Sequence, residues 1–562
     1  MLATAFSLAD YEFIVIGPGA GGSPLAGHKT LLLESGDDQG DNTNYNFWNF
    51  YVRHYSDDNR QARDYKTVYS TPTGETYVGL RPPPGSTMKG ILYPRGGTFD
   101  GSAAHNALTS IYSYCGWLST QTSSSEVVLD DPQLLGLFLG GVGALGKPAN
   151  LLTLLAGDIN TELPKRDTEP AAYQIPVQTD DGRRRSPRER VLTVRAAGHP
   201  LAIRTNCHVT KVLFDRSVFP PRATGVSFLE GKHLYSASPL ARQDNFFLGG
   251  IPGTAIPSRE VIIAGGVSNS PQLLHLSGIG PAENLRQWGI EPLVNLPGVG
   301  TNLQDHYEIV VISRFPNKSS FLHGCTFSYP EGPDPCYQRW QIPIHGHRAT
   351  YATAGFPVGL LYKSTVTTNN TCDVLLFGGP TGYRGFWPGF SVNITSDHRI
   401  FVWAVLEAHP RNRAGTVSLK STDSLETPDI EFNYYDTGSP GYEEDLQAQV
   451  EGILLARNAL EKQPTPFKEI LPGPEVATRE YIIRYAQDTA WGHHGCCTCP
   501  IGADDDPMAV LDSKFRVRGV TGLRVVEGSA FSWLPSSFPV LATYMIAEKA
   551  AAEILSETKE EL

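Results

Sequence analysis

The stretch Tyr11-Glu-Phe-Ile-Val-Ile-Gly17-Pro-Gly19-Ala-Gly-Gly22, followed by Lys29-Thr-Leu-Leu-Leu-Glu34, decides the fold. A short apolar run leads straight into Gly-x-Gly-x-x-Gly, and a second apolar run closes on an acid. This is the order of a dinucleotide-binding βαβ start. Gly17 permits the tight turn, Gly19 lets backbone approach a pyrophosphate, and Gly22 allows helix and strand to pack closely. The helix N-terminus then favours phosphate charge, and Glu34 is placed to accept from a ribose hydroxyl. Only eleven residues separate Gly22 from Glu34, where about twenty is usual. The spacing predicts a first helix shortened by one to two turns.

The rest of the 562-residue chain has room for a large core and more than one domain. With 46 Lys+Arg against 58 Asp+Glu the net charge is −12, which argues against nucleic acid as a partner. The dense basic run Arg183-Arg184-Arg185, with Arg188 and Arg190, reads as a solvated loop. No apolar stretch is long enough to span a membrane. The first residues have neither the basic nor the apolar region of a convincing signal peptide. Three sequons at Asn317, Asn369 and Asn393 would suit a secretory route, so the compartment stays open. Cys325 and Cys336 could close a loop disulfide. Cys496, Cys497 and Cys499 crowd one turn, but no matching pair at finger spacing accompanies them, and no metal is expected.

Further along, Arg259-Glu-Val-Ile-Ile-Ala-Gly-Gly266 predicts a buried strand, and the segment from Ser268 through Pro271 to Gly278 a helix stopped by glycine. Gly298-Val-Gly-Thr-Asn302-Leu-Gln-Asp305-His306 is a compact polar loop. Near the C-terminus come Trp491-Gly-His493-His494-Gly-Cys-Cys-Thr498-Cys-Pro-Ile-Gly502, a strand Leu523–Val526 running into Glu527-Gly528-Ser529, and a closing helix from Pro539 to Ile554.

Taken in order with Pro94-Arg-Gly-Gly-Thr98-Phe-Asp100-Gly101-Ser102-Ala-Ala-His-Asn106, these motifs resemble the glucose–methanol–choline (GMC) oxidoreductases from Tyr11 to about Leu555. Within that family the chain looks similar to fungal enzymes of small-molecule or secondary metabolism. The resemblance implies an α/β and α+β protein, with a Rossmann-like FAD-binding domain and a substrate domain on an antiparallel sheet. The FAD domain would comprise residues 8–120, 190–312 and 480–558, and the substrate domain residues 121–189 and 313–479. It implies that Gly17, Gly19, Gly22 and Glu34 hold the pyrophosphate and ribose. Gly101, Ser102 and Asn106 would line the flavin and its phosphates, and Val209 would meet the adenine through its backbone. Gly528, Phe538, Pro539 and Val540 would lie beside the flavin ring.

By the same resemblance His494 is the catalytic base, with His493 as a supporting neighbour. The implied reaction oxidises the CH–OH group of a small alcohol by hydride transfer to FAD, with oxygen or an organic acceptor completing the cycle. An imidazole suits this role because it titrates near working pH. The family's usual second His or Asn falls on Phe538, which can neither take a proton nor hold an alkoxide. A non-redox cyclase or lyase with structural FAD, or a degenerate inactive member, therefore stays open beside the oxidoreductase. Asp100 replaces a glycine beside the flavin phosphates, where a carboxylate is unfavourable unless paired. The run from Ser110 to Thr120 leaves little room for the family's covering lid. The pocket walls would come from about Phe315 to Asp436, where Trp340, Tyr351, Phe386 and Trp387 are candidates.

Overall fold

A computed structural model describes residues 6–22, 28–40, 47–104, 117–123, 128–148, 157–160, 165–241, 249–328, 331–343, 348–535 and 537–560. The apolar runs picked out above become the centre of a parallel sheet. Strand Phe6–Ile16 lies between Thr30–Leu33 and Ile251–Ile263, in register Ile16 with Leu33 and Ile16 with Ile263. Leu201–Arg204 extends one edge, and Leu523–Val525 pairs in parallel on the other side. Ile14, Val15, Leu31, Leu32, Val261 and Ile263 are fully buried, as expected of strands covered on both faces. The hairpin of Cys207–Asp215 and Arg222–Glu230 adds antiparallel to the first half of Ile251–Ile263. The helix Asn269–Leu276 follows, ended by Gly278 at φ +85°. The helix expected between Gly22 and Glu34 falls on residues 23–27, outside the described residues.

A second sheet is wholly antiparallel. Its order is Lys468–Leu471, Tyr307–Arg314, Ile400–Glu407, Val374–Gly379, Val358–Tyr362 and Ala171–Gln174. Side chains alternate across it. Ile309, Val311, Trp403, Val405, Val374 and Leu376 pack beneath the helices Pro132–Ala144 and Tyr442–Glu461. Val310, Ile312, Val402, Ala404, Leu375 and Phe377 face the other way and meet Trp491 and Phe538. A smaller sheet, led by Phe47–Val52 and Thr87–Gly96, brings Arg95 toward the same place. The closing helix runs Val540–Glu560.

Candidate active site

The carboxyl ends of the parallel strands open onto a cavity of about 680 Å³, the usual place for a ligand in such a sheet. Gly17 turns the chain at φ +85°, its N–H bonded to Leu33 O at 2.9 Å, and a Cβ here would lie 2.7 Å from Ala264 O. Glu34 caps the second strand, accepts from the Gly36 N–H at 2.6 Å, and is pushed up to about 8 by burial. Opposite the glycine turn, Gly101 sits at φ +60° and comes so close that a Cβ would be 3.2 Å from Gly19 Cα. The Ser102 hydroxyl accepts from the Gly96 N–H at 3.0 Å.

Asp100 is buried, as the crowding there requires, and it is paired. Its Oδ1 accepts from the Arg188 N–H at 3.0 Å at the start of helix Pro187–Ala196. Burial raises it to about 7, while a hydrogen bond from Ser186 pulls the other way. The basic run is not simply a solvated loop: Arg183 and Arg185 face solvent, but Arg184 lies on the cavity wall and donates to Ala103 O at 2.7 Å. The nearby Asp100 carboxylate favours the cation there. At the far end Val209 is on the wall beside His208, whose Nδ1 lies 2.9 Å from Ser35 Oγ.

The other end of the cavity is built by two distant segments lying antiparallel. Glu308 and Trp491 exchange backbone hydrogen bonds, as do Gln304 and Cys496. Asp305 stands at their junction. Its Oδ1 accepts the backbone N–H of His494 at 2.7 Å and of His306 at 2.9 Å. Its Oδ2 accepts the hydroxyls of Tyr93 at 2.9 Å and Tyr434 at 3.2 Å. Burial raises Asp305 to about 7 against these four donors. The His494 and His306 Nδ1 atoms are 2.9 Å apart, so one ring donates to the other. Burial, and then the nearby His493, His306 and Arg95, hold His494 well below the ordinary histidine range. It is therefore a neutral imidazole on the cavity wall, and Nε2 is the ring nitrogen that His306 does not engage.

Gly17, Gly19, Glu34, Gly101, Ser102, Val209, His494, Gly528, Phe538, Pro539 and Val540 all line this one cavity. Gly22 is not on the wall; it packs behind the turn, where a Cβ would lie 2.2 Å from Gly17 O. Asn106 and the neighbouring His105 lie outside the described residues, as does most of the segment 110–120. Phe538 packs edge-on to His494 at 5.5 Å and Phe377 at 5.8 Å between ring centroids. Phe386 reaches the cavity together with Phe356, Tyr383 and Phe390. Trp340 instead binds Gly182 O, Tyr351 binds Asp334, and Trp387 packs on Arg384. The wall thus offers an acid, a glycine-rich backbone, a cation and then apolar rings, a sequence of groups that fits FAD.

Sequence reasoning named His493 only as a neighbour of His494 and did not single out Arg95 or Glu308. His493 lines the cavity against His494, ring centroids 3.9 Å apart, and Arg95 donates to its carbonyl at 3.2 Å. A lone acid inside the apolar run Tyr307–Ile312 was the available signal for Glu308. Cys325 pairs with Cys336, and Cys496 with its neighbour Cys497, leaving Cys499 buried and free.

Residues 156–308 and 410–547 match the N- and C-terminal profiles of GMC oxidoreductases. The chain is 32% identical over 384 residues to the oxygen-dependent choline dehydrogenase of Staphylococcus aureus strain MSSA476, covering 66% of this chain and 59% of that protein. The Staphylococcus saprophyticus protein of that name is 32% identical over 379 residues, with 64% and 59% covered. The chain thus spans 59% of the length of these relatives. Among solved structures, a formate oxidase variant from Aspergillus oryzae RIB40 aligns with TM-score 0.74 and 17% identity over 98% of this chain and 99% of that one. An FAD-dependent oxidoreductase from Chaetomium thermophilum gives 0.65 and 18% over 98% and 100%, and a fungal aryl-alcohol oxidase 0.60 and 18% over 98% and 99%. At such identities these likenesses speak to the fold.

Proposed function

The chain belongs to the GMC oxidoreductases, a family of FAD-dependent enzymes, and from that premise we propose that it oxidises the CH–OH group of a small apolar alcohol, with His494 as the base. The observation that carries this reading is the single cavity joining the glycine-rich turn to His494 beneath an aromatic wall. Residues 8–120, 190–312 and 480–558 would hold FAD, and residues 121–189 and 313–479 would shape the substrate pocket. Gly17, Gly19, Gly101 and Ser102 would cradle the pyrophosphate, with Glu34 on the ribose, Val209 at the adenine, and Gly528, Pro539 and Val540 beside the ring. Bound FAD supplies the acceptor for a hydride from the alcohol carbon.

This chain's residues do the rest. Asp305 fixes the His494 backbone; with the His494 Nδ1–H donated to His306 Nδ1, the lone pair at Nε2 is free to take the hydroxyl proton. His493 supplies a second imidazole to hold the substrate oxygen, which Phe538 cannot do. Phe356, Phe377, Phe386 and Phe538 exclude water and favour an aryl or alkyl group. Such a wall also suits a quaternary ammonium through cation–π attraction, which brings choline into consideration from the relatives' name. Oxygen or an organic acceptor would complete the cycle.

The test is the visible spectrum of the FAD-loaded protein, followed anaerobically as benzyl alcohol, hexanol and choline are added. Bleaching by one of them, slowed at least about 100-fold in His494→Ala with FAD retained, is the expected result. An alanine variant that bleaches as fast as wild type refutes the base assignment. A second reading, a non-redox cyclase or lyase with structural FAD, is favoured by Phe538 standing at the family's second proton-handling position. It predicts flavin bands that no alcohol bleaches.

A further inference from the structure

Glu308 has no part in the scheme above, yet it is the most conspicuous group near His494. It is fully buried in strand Tyr307–Arg314, and neither carboxylate oxygen has a hydrogen-bond partner. Its Oε1 lies 3.3 Å from Nδ1 of His493 and 3.7 Å from Nδ1 of His494, on the side of those rings that carries Nδ1. A carboxylate shut away from water without donors is costly unless an opposite charge comes to it. The charged and titratable groups around it are few. Asp305 and Tyr383 face it, His306 stands behind His494, and Arg95 approaches the two histidines from the cavity side. Lys66, near the Trp491 ring at 5.7 Å, is already held by Asp64 at 2.9 Å. The only groups within ion-pair distance of Glu308 among the described residues are therefore the two imidazoles.

We propose that Glu308 is the positioning residue that, acting through His494, supplies the negative charge against which the abstracted proton is held. The inference rests on His494 being the base. In the working form, before transfer, the carboxylate is ionised and the imidazole neutral. The substrate O–H bond breaks and an N–H bond forms at His494 Nε2; bound FAD would accept the hydride that carries away the two C–H electrons. The Glu308–His494 pair thus passes from one negative charge to none, instead of creating an isolated buried imidazolium. Burial, reinforced by Asp305, raises the proton affinity of Glu308 well above the carboxylate range, so the ionised working form grows as pH rises.

The experiment titrates FAD-loaded protein carrying ring-labelled histidine, read by NMR, with His494 assigned by its loss in H494Q. In wild type the first proton enters a pair of coupled sites. In E308Q it enters an imidazole alone, and the midpoint should fall by about 1–3 pH units. E308D, which keeps the charge, should restore most of the shift. An unchanged midpoint in E308Q overturns the proposal, and so does equal loss in E308Q and E308D, which marks a merely structural residue. If E308Q does not retain FAD, the infrared carboxyl stretch of Glu308 is followed against pH in wild type and H494Q. A midpoint that ignores the loss of His494 overturns the proposal equally. The titration needs no substrate, so its failure is separate from failure of the base assignment, which H494A decides by flavin bleaching.

Discussion

Replacing Asp305 with alanine removes an acceptor on which four donors converge, and the consequence can be worked from the geometry. The hydroxyls of Tyr93 and Tyr434 are free to rotate, but the N–H groups of His494 and His306 are fixed by the backbone. A buried donor left without a partner costs about 1–3 kcal/mol, so the two amides together lose about 2–6 kcal/mol. Tyr93 also accepts the Gly495 N–H at 2.9 Å, which ties a further amide to the same carboxylate. The loss falls on the seam between residues 304–308 and 491–496 rather than on the whole molecule. The assay is hydrogen–deuterium exchange by mass spectrometry on peptides spanning 491–497 of the FAD-loaded protein. At about 1.4 kcal/mol per factor of ten, D305A should speed exchange there by at least about 30-fold. D305N keeps an oxygen for the two amides and should change it far less. Exchange in D305A within threefold of wild type would refute the view that Asp305 holds His494 in place.

Gly17→Ala puts a methyl group 2.7 Å from Ala264 O at a φ of +85°, where an L residue costs about 1–2 kcal/mol before any clash. It should lower FAD affinity at least about tenfold, and a wild-type flavin-to-protein absorbance ratio after dialysis would contradict this. Asp100 is neutral below about 7 and ionised above it. Only the ionised form repels a pyrophosphate, so FAD affinity should fall as pH rises through that point. An effect on the order of tenfold corresponds to about 1.4 kcal/mol. D100N should abolish this component, and equal pH dependence in both proteins, measured by flavin fluorescence, would count against it. Phe538→Ala removes a ring packed between His494 and Phe377. KM for small alcohols should rise about tenfold with kcat less affected, and bulkier alcohols should become substrates; an unchanged substrate range would argue that Phe538 is not part of the pocket wall.

The parallel half of the fold was readable because its physics is local. Ile14–Ile16 and Leu31–Leu33 are continuous apolar runs, and the glycines between them specify the turn. The antiparallel sheet came through family likeness, since its strands are separated by long irregular segments. His494 was legible from its motif, but what holds it was not. Asp305 and His494 are 189 positions apart, and nothing in either segment says that one carboxylate will receive both backbones. Asp100 looked like an electrostatic fault because its remedy, the first turn of helix Pro187–Ala196, lies 88 positions downstream. Glu308 was missed for the same reason: its meaning lies in the two imidazoles that a distant segment brings beside it.

The alternation of the antiparallel sheet has an evolutionary reading. Leu375 and Phe377 share a side with Phe538, while Val374 and Leu376 are pinned beneath Tyr442–Glu461. Phe377, which stands on the cavity wall, can therefore drift toward a new substrate without disturbing the helix-backed layer that keeps the domain folded. Pocket chemistry and folding stability are written on alternate letters of the same strand. A library confined to the cavity-facing positions should consequently yield altered selectivity far more often than loss of expression, whereas the same changes one residue over should do the reverse.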